Sequence, residues 1–308
     1  MSSTSDRPGP ARSAPEQSAP ERPGPRGGGC RGRRSDVLRQ VVVVVSLVLA
    51  LIGSAYGSGA FGGTGIQNAS SGALGPDATL LAPARQAFSI WSVIYLGLLL
   101  YAIWQALPRH RTDARQRVTG YLAAVSMLLN AAWILVAQAG WLPLTVPVIV
   151  ALLVVLVLLY RRLFTGPRPR PVEAVLVDGT FGLYLGWVCV ATCANVTAAV
   201  ATPLAGVGVD LGGGAAWWAI LVLAVVAVVG TGLALAGDGR VAPTIALAWG
   251  LAWIAVSRLI GELHSTSTAV TALVAAALIV AWTVVVRVRT LPRRRSGAPV
   301  QSPSSRFS

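Results

Sequence analysis

The sequence predicts an all-α protein: a polytopic integral membrane helical bundle of about eight transmembrane helices, with both termini cytoplasmic. Three observations carry this. The 308-residue chain is 54% hydrophobic and 12% charged, too apolar and too poor in charge for a soluble domain of that length. Its apolar residues fall into runs near twenty residues, the length an α-helix needs to cross a hydrocarbon core of about 30 Å. Its basic side chains, all arginine, crowd into the N-terminal tail (Arg31, Arg33, Arg34), the second connection (Arg109, Arg111, Arg115, Arg117), the fourth (Arg161, Arg162, Arg168, Arg170) and the C-terminal tail (Arg293, Arg294, Arg295). Cytoplasmic connections are the ones enriched in basic residues, so this alternation requires an even number of spans and places the first loop outside. The formal charge of +14 is therefore a mark of topology. It is no nucleic-acid footprint, because the arginines form no stripe along a helix face.

Residues 1–36 are rich in Pro, Gly, Ser and Arg with few large apolar side chains, and such a segment cannot bury enough surface to offset the entropy of ordering. A disordered tail is expected there. The first helix follows from Val37 to Tyr56 around VVVVVSLVLALIG. A basic stretch before a short apolar core also describes a signal peptide, but the long polar tail ahead of it favours a membrane span. Loop 57–87 holds turn formers with a few apolar residues between them, and a connection that long between membrane helices suits a cover over a site. Further spans are expected at Phe88–Leu107, Val118–Ala139, Leu142–Leu163, Glu173–Ala199, Ala215–Ala236, Val241–Ile260 and Thr268–Val286. The tail 290–308 is again basic and disordered. Alanine, valine, glycine and arginine dominate and lysine is absent, a bias that suits a GC-rich bacterial genome, so the expected location is a bacterial plasma membrane.

Topology also sets depth. Trp91 and Tyr95, at i and i+4, share a face in the outer half of the second helix. The third helix enters from the cytoplasm, and at 1.5 Å per residue Asn130 and Trp133 come to lie from mid-membrane to the outer half. In the fifth helix Tyr184, Trp187, Ala191 and Asn195 share one face. An amide in hydrocarbon costs a few kcal/mol unless paired, so Asn195 must point into the bundle or at a bound molecule. These residues meet at compatible heights beneath the outer loop: a candidate pocket with aromatic walls, two amides and little charge. Singly, such tryptophans are often interfacial anchors and such an asparagine is often glue between helices. Gly182 and Gly186 form a GxxxG that allows close helix packing and says little about function.

At these positions the chain resembles the TspO/MBR family, the tryptophan-rich sensory proteins related to the translocator protein or peripheral benzodiazepine receptor. The family pattern P-Y-x-x-W-x-x-F-A-T-x-x-N is matched by Tyr184, Trp187, Ala191, Thr192 and Asn195 in LYLGWVCVATCAN, with Leu183 and Val190 replacing Pro and Phe. L-N-x-x-W is matched by Leu129, Asn130 and Trp133, and the opening of the second helix by Pro83, Trp91 and Tyr95. Arg85 stands where the family usually has Trp, and Phe88-Ser89 replaces Gly-Pro. The resemblance covers about Val37 to Val200, so residues 37–200 are expected to form a five-helix unit and 201–289 to add three helices outside it. It implies a non-enzymatic binder whose pocket, between helices two, three and five, takes porphyrins, sterols or synthetic ligands. Trp91, Trp133 and Trp187 would stack on the ligand, Asn130 and Asn195 would orient it, and Ala191 would leave room.

The remaining residues add little chemistry. No nucleophile sits with a base, and no His/Cys cluster has metal spacing, so neither a catalytic nor a metal site is expected. No resident cofactor is expected either; a porphyrin or heme enters as ligand. Expected partners are the lipid bilayer and a small apolar ligand, with a homodimer left open. Cys189 and Cys193 read as packing residues. Arg258 and Glu262 are spaced to pair near the outer interface, and Asp178 suits the positive start of the fifth helix. The pattern Leu158-x-Tyr160-x-Arg162 resembles a sterol motif but equally an ordinary helix end. The alternatives are a small secondary transporter, with Arg258 and Glu262 coupling substrate to protons, and a purely structural or sensory membrane protein.

Overall fold

The computed structural model describes residues 28–62, 64–165, 169–206 and 212–295; residues 1–27 and 296–308 of the expected tails, and Arg168, lie outside the described residues. All regular structure among the described residues is helical, and eight helices are long and apolar enough to cross a membrane. They are α1 (Gly28–Gly57), α2 (Ile90–Ala106), α3 (Ala114–Gln138), α4 (Leu142–Thr165), α5 (Thr180–Gly206), α6 (Gly212–Ala236), α7 (Val241–Ile260) and α8 (Thr266–Arg295). Each coincides with an apolar run expected from the sequence. Val93, Leu96, Leu100 and Ile103 on α2 are exposed; on a spanning helix this face meets acyl chains.

α1 begins ahead of the expected Val37, so residues 28–36 are helical. Its polar start is held by α3 and by the α2–α3 turn. Arg117 grips the buried Asp36 with two hydrogen bonds of 2.5 and 2.7 Å. Arg39 donates to the Arg111 carbonyl at 2.9 Å, and Gln40 to the Gln105 carbonyl at 2.6 Å. Here, on the arginine-rich side of the bundle, the polar groups are satisfied by partners and not by solvation alone.

Around the bundle, α1 packs on α3, α3 on α4, α4 on α5, α5 on α7, α7 on α8 and α8 on α6. The α5–α7 contact joins the two halves, and glycine makes it close. A Cβ on Gly186 would run into the Pro243 carbonyl and come within 2.9 Å of the Ala246 methyl, and one on Gly250 would lie 2.9 Å from Val190. The GxxxG glycine of α5 is thus a docking surface for α7, where small residues let backbones approach.

α5 is entered through a helical turn Pro171–Glu173 and a π turn Ala174–Gly179. Asp178, in that π turn, does not merely face a helix start as the sequence suggested. Arg115 of α3 lies 2.6 Å from it and 3.1 Å from Glu173, and Arg240 at the foot of α7 pairs with its other oxygen. Buried carboxylates need such compensation.

Candidate ligand-binding site

The loop between α1 and α2 folds over the opposite end of the bundle. Its turns use left-handed backbone at Gly59, Gly62 and Gly72 and at Ser70 and Ser71, a region glycine adopts without steric cost. One flank is tied to α3: Ser70 Oγ donates to the Ala137 carbonyl at 2.9 Å and Gln138 Nε2 to the Thr64 carbonyl at 2.8 Å. The other is tied to α7. Trp249 Nε1 donates to the Ala87 carbonyl at 2.9 Å, Ala84 N–H to the Trp253 carbonyl at 3.1 Å, and Arg258 to the Pro76 carbonyl at 2.6 Å. Arg258 is buried and faces Asp77 at 3.8 Å, so the Arg258–Glu262 pairing expected from the sequence is not made; Glu262 is exposed. A loop carboxylate and carbonyl compensate the guanidinium better than a neighbour held out in solvent.

Beneath this cover the aromatic residues of α2, of α5 and of the turn that precedes α2 meet. Trp91 lies edge to face on Tyr184 at 5.7 Å and on Trp187 at 6.4 Å between centroids, and Phe88 meets Trp187 at 5.7 Å. These are the separations at which offset and T-shaped aromatic pairs are favourable. Trp91 also tilts against Tyr95 at 5.5 Å. Trp91 thus touches three of the side chains expected at the site, Tyr95, Tyr184 and Trp187.

Both amides are engaged within the protein. Asn130 donates to Tyr95 Oη at 2.7 Å, Asn195 donates to Thr145 Oγ1 at 2.8 Å, and the Trp133 indole donates to Asn195 Oδ1 at 3.4 Å. Thr192 bonds back to the Val188 carbonyl at 2.7 Å, and Tyr184 donates to the Ser126 carbonyl at 3.2 Å. Trp187 differs: it is 1% exposed, and its indole N–H finds no partner among the described residues. A buried donor left unpaired costs about 1–3 kcal/mol.

Two spaces adjoin this cluster. A small cavity of about 50 Å³ is lined by Pro83, Phe88, Trp91, Asn130, Trp133, Trp187, Ala191 and Asn195, with Ile149 and Leu152 of α4. A larger cleft of about 750 Å³ lies between α1, α2, α3 and the loop, and shares Ile66, Phe88, Trp91 and Trp133 with the first. Tyr95 lines the cleft; Tyr184 and Thr192 line neither. Pockets for drug-sized ligands run from about 300 to 1,000 Å³. The small cavity cannot hold a tetrapyrrole, and the cleft is in range. Phe88, Thr145 and the α4 wall were not expected from the sequence. Thr145 was detectable only as a hydroxyl in an otherwise apolar helix.

Other candidate groups do not gather. No group of three or more His, Cys, Asp or Glu residues could hold a metal among the described residues. His110 stacks on Trp104 at 3.9 Å on the arginine-rich side, whereas His264 is exposed on the loop side. Burial first, then the Arg109 guanidinium, hold the His110 imidazole below the ordinary histidine value, and Arg109 Nε donates to its Nε2 at 3.0 Å. Cys189 is buried, Cys193 is partly buried, and both are free thiols. Tyr160 of the sterol-like pattern is buried against Phe164 at 4.5 Å, not presented outward.

A model of the TSPO-like protein family matches residues 40–285. The match runs from α1 into α8, and so includes the helices that the motifs alone had left outside the resemblance. No curated protein and no solved structure matches the chain.

Proposed function

This multi-pass membrane protein belongs to the TSPO-like protein family, and on that premise we propose that it binds a flat apolar molecule of tetrapyrrole or sterol type and serves a sensory or ligand-handling role without catalysing a reaction. The ligand body lies in the cleft against Phe88, Trp91 and Trp133, and its inner edge reaches the small cavity once Phe88 and Trp91 turn aside. Pro83 and Ala191 bound that cavity without filling it. The observation that carries this reading is the Trp187 indole N–H, buried at the cavity wall with no partner among the described residues: a ligand acceptor atom would satisfy it.

The test is quenching of intrinsic tryptophan fluorescence in detergent-purified protein titrated with protoporphyrin IX and with heme. Saturable quenching is expected. Trp187→Phe, which keeps a ring but loses the donor, should weaken binding by about 1 kcal/mol, as loss of one hydrogen bond does. Trp187→Ala should cost more, because the aromatic wall goes too. Non-saturable quenching identical in all three proteins would overturn the reading.

Transport is the second reading, favoured by the buried Arg115, Glu173 and Asp178 with the half-buried Arg240 at the arginine-rich end of the spans, since charges among membrane helices often mark ion pathways. Proton-gradient-driven uptake in proteoliposomes that depends on Asp178 would support it. The coupling pair first expected, Arg258 and Glu262, does not form.

A further inference from the structure

We infer that the cleft selects an anionic molecule, with Arg85 as the residue that reads its acidic group. Four observations converge on Arg85. Among the described residues no Asp or Glu lines the cleft, and Arg85 is its one permanently charged side chain. That guanidinium is exposed and makes no ion pair among the described residues, unlike Arg115, Arg117, Arg240 and Arg258. Its backbone is pinned where it stands, because Gln67 Nε2 donates to its carbonyl at 3.3 Å. It also opens the continuous helical stretch Arg85–Ala106, whose positive end thus lies beside the cleft that Arg85 lines.

The rest of the cleft suits such a head group. Ser54, Ser58, Gln67 and Asn68 supply neutral polar groups on the loop side, and Trp91 forms an aromatic wall. An apolar body with a carboxylate or phosphate at one edge would lay its rings on the aromatic side and its acid at the Arg85 fork, which matches the two oxygens of either anion. Along a wall of low dielectric the charge pair is stronger than in bulk water. The inference rests on the proposed function only in that the apolar body lies against the same wall.

The experiment compares protoporphyrin IX with its neutral dimethyl ester, by the same quenching titration, in wild type, Arg85→Gln and Arg85→Lys. The Arg85 side chain has no partner among the described residues, so these substitutions leave their fold intact. The free acid should bind wild type about tenfold more tightly than the ester, as one charge-assisted contact allows, and Arg85→Gln should erase that difference while Arg85→Lys keeps part of it. Equal binding of acid and ester to wild type, unchanged by Arg85→Gln, would overturn the inference and leave the proposed function standing. Failure of both compounds to bind would overturn both. Repeating the titration in nanodiscs of phosphatidylcholine with and without phosphatidylglycerol separates the two sources of the anion. Displacement of the acid by the anionic lipid only where Arg85 is present makes the natural head group a lipid phosphate. No displacement makes it the acid of a free ligand.

Discussion

Asn195 shows how far a single residue can be read from sequence. Its place in an apolar run meant that its amide had to be paired, and the face it shares with Tyr184 and Trp187 said which way it points. The partner was not legible, because helical periodicity describes a residue's own helix and is silent about the neighbour. Thr145 turned out to be that partner. Thr145→Val should therefore leave the amide one bond short and lower stability by about 1–3 kcal/mol, read as a lower thermal midpoint in detergent. An unchanged midpoint would mean the bond contributes nothing. The same limit hid the unpaired indole of Trp187, whose neighbours come from several helices. His110 makes a residue-scale prediction about pH. Its folded value is depressed, so its contribution to stability is present above the unfolded value near 6.5 and is lost as pH falls through the folded one. Thermal midpoints measured downward from pH 7 should fall less steeply in His110→Gln than in wild type.

At the scale of elements, the spans were the most legible part, since hydropathy and length suffice to locate a membrane helix. The start of α1 was missed because residues 28–36 read as tail, and Asp36 shows its place only once Arg117 of α3 is there to pair with it. The loop was legible as a cover from its length, but what holds it was not. Trp249, Trp253 and Arg258 all belong to α7, far along the chain from the residues they touch. This helix fixes the stretch of loop that carries Thr79, Ala82, Pro83 and Phe88 to the cavity. Arg258→Ala removes the bond to the Pro76 carbonyl and the charge facing Asp77, so limited proteolysis should cleave residues 73–79 several-fold faster than in wild type. A protease pattern identical to wild type would show that the other ties hold the loop without it.

Over the whole molecule, the order in which helices pack was the least legible feature, because lipid is as apolar as a helix face and hydropathy names no partner. Two devices decide the order here. One is the close seam of α5 on α7, built on Gly186 and Gly250. The other is the clamp on the arginine-rich side, where Arg115, Glu173, Asp178 and Arg240 draw α3, α5 and α7 together. Removing one charge from such a buried set strands the others, so Asp178→Asn should destabilise the protein by about 3–5 kcal/mol, measurable as loss of folded protein in a denaturant titration. A small effect would mean that water reaches the cluster.

The shared wall between the small cavity and the large cleft also has a consequence in time. On the proposed reading, a ligand that enters the cleft first reaches Trp187 only after Phe88 and Trp91 move, since both rings line the cleft and the cavity. Association followed by stopped flow should then show two phases: a fast one whose rate rises linearly with ligand concentration, and a slow one that reaches a ceiling set by the turning of the two rings.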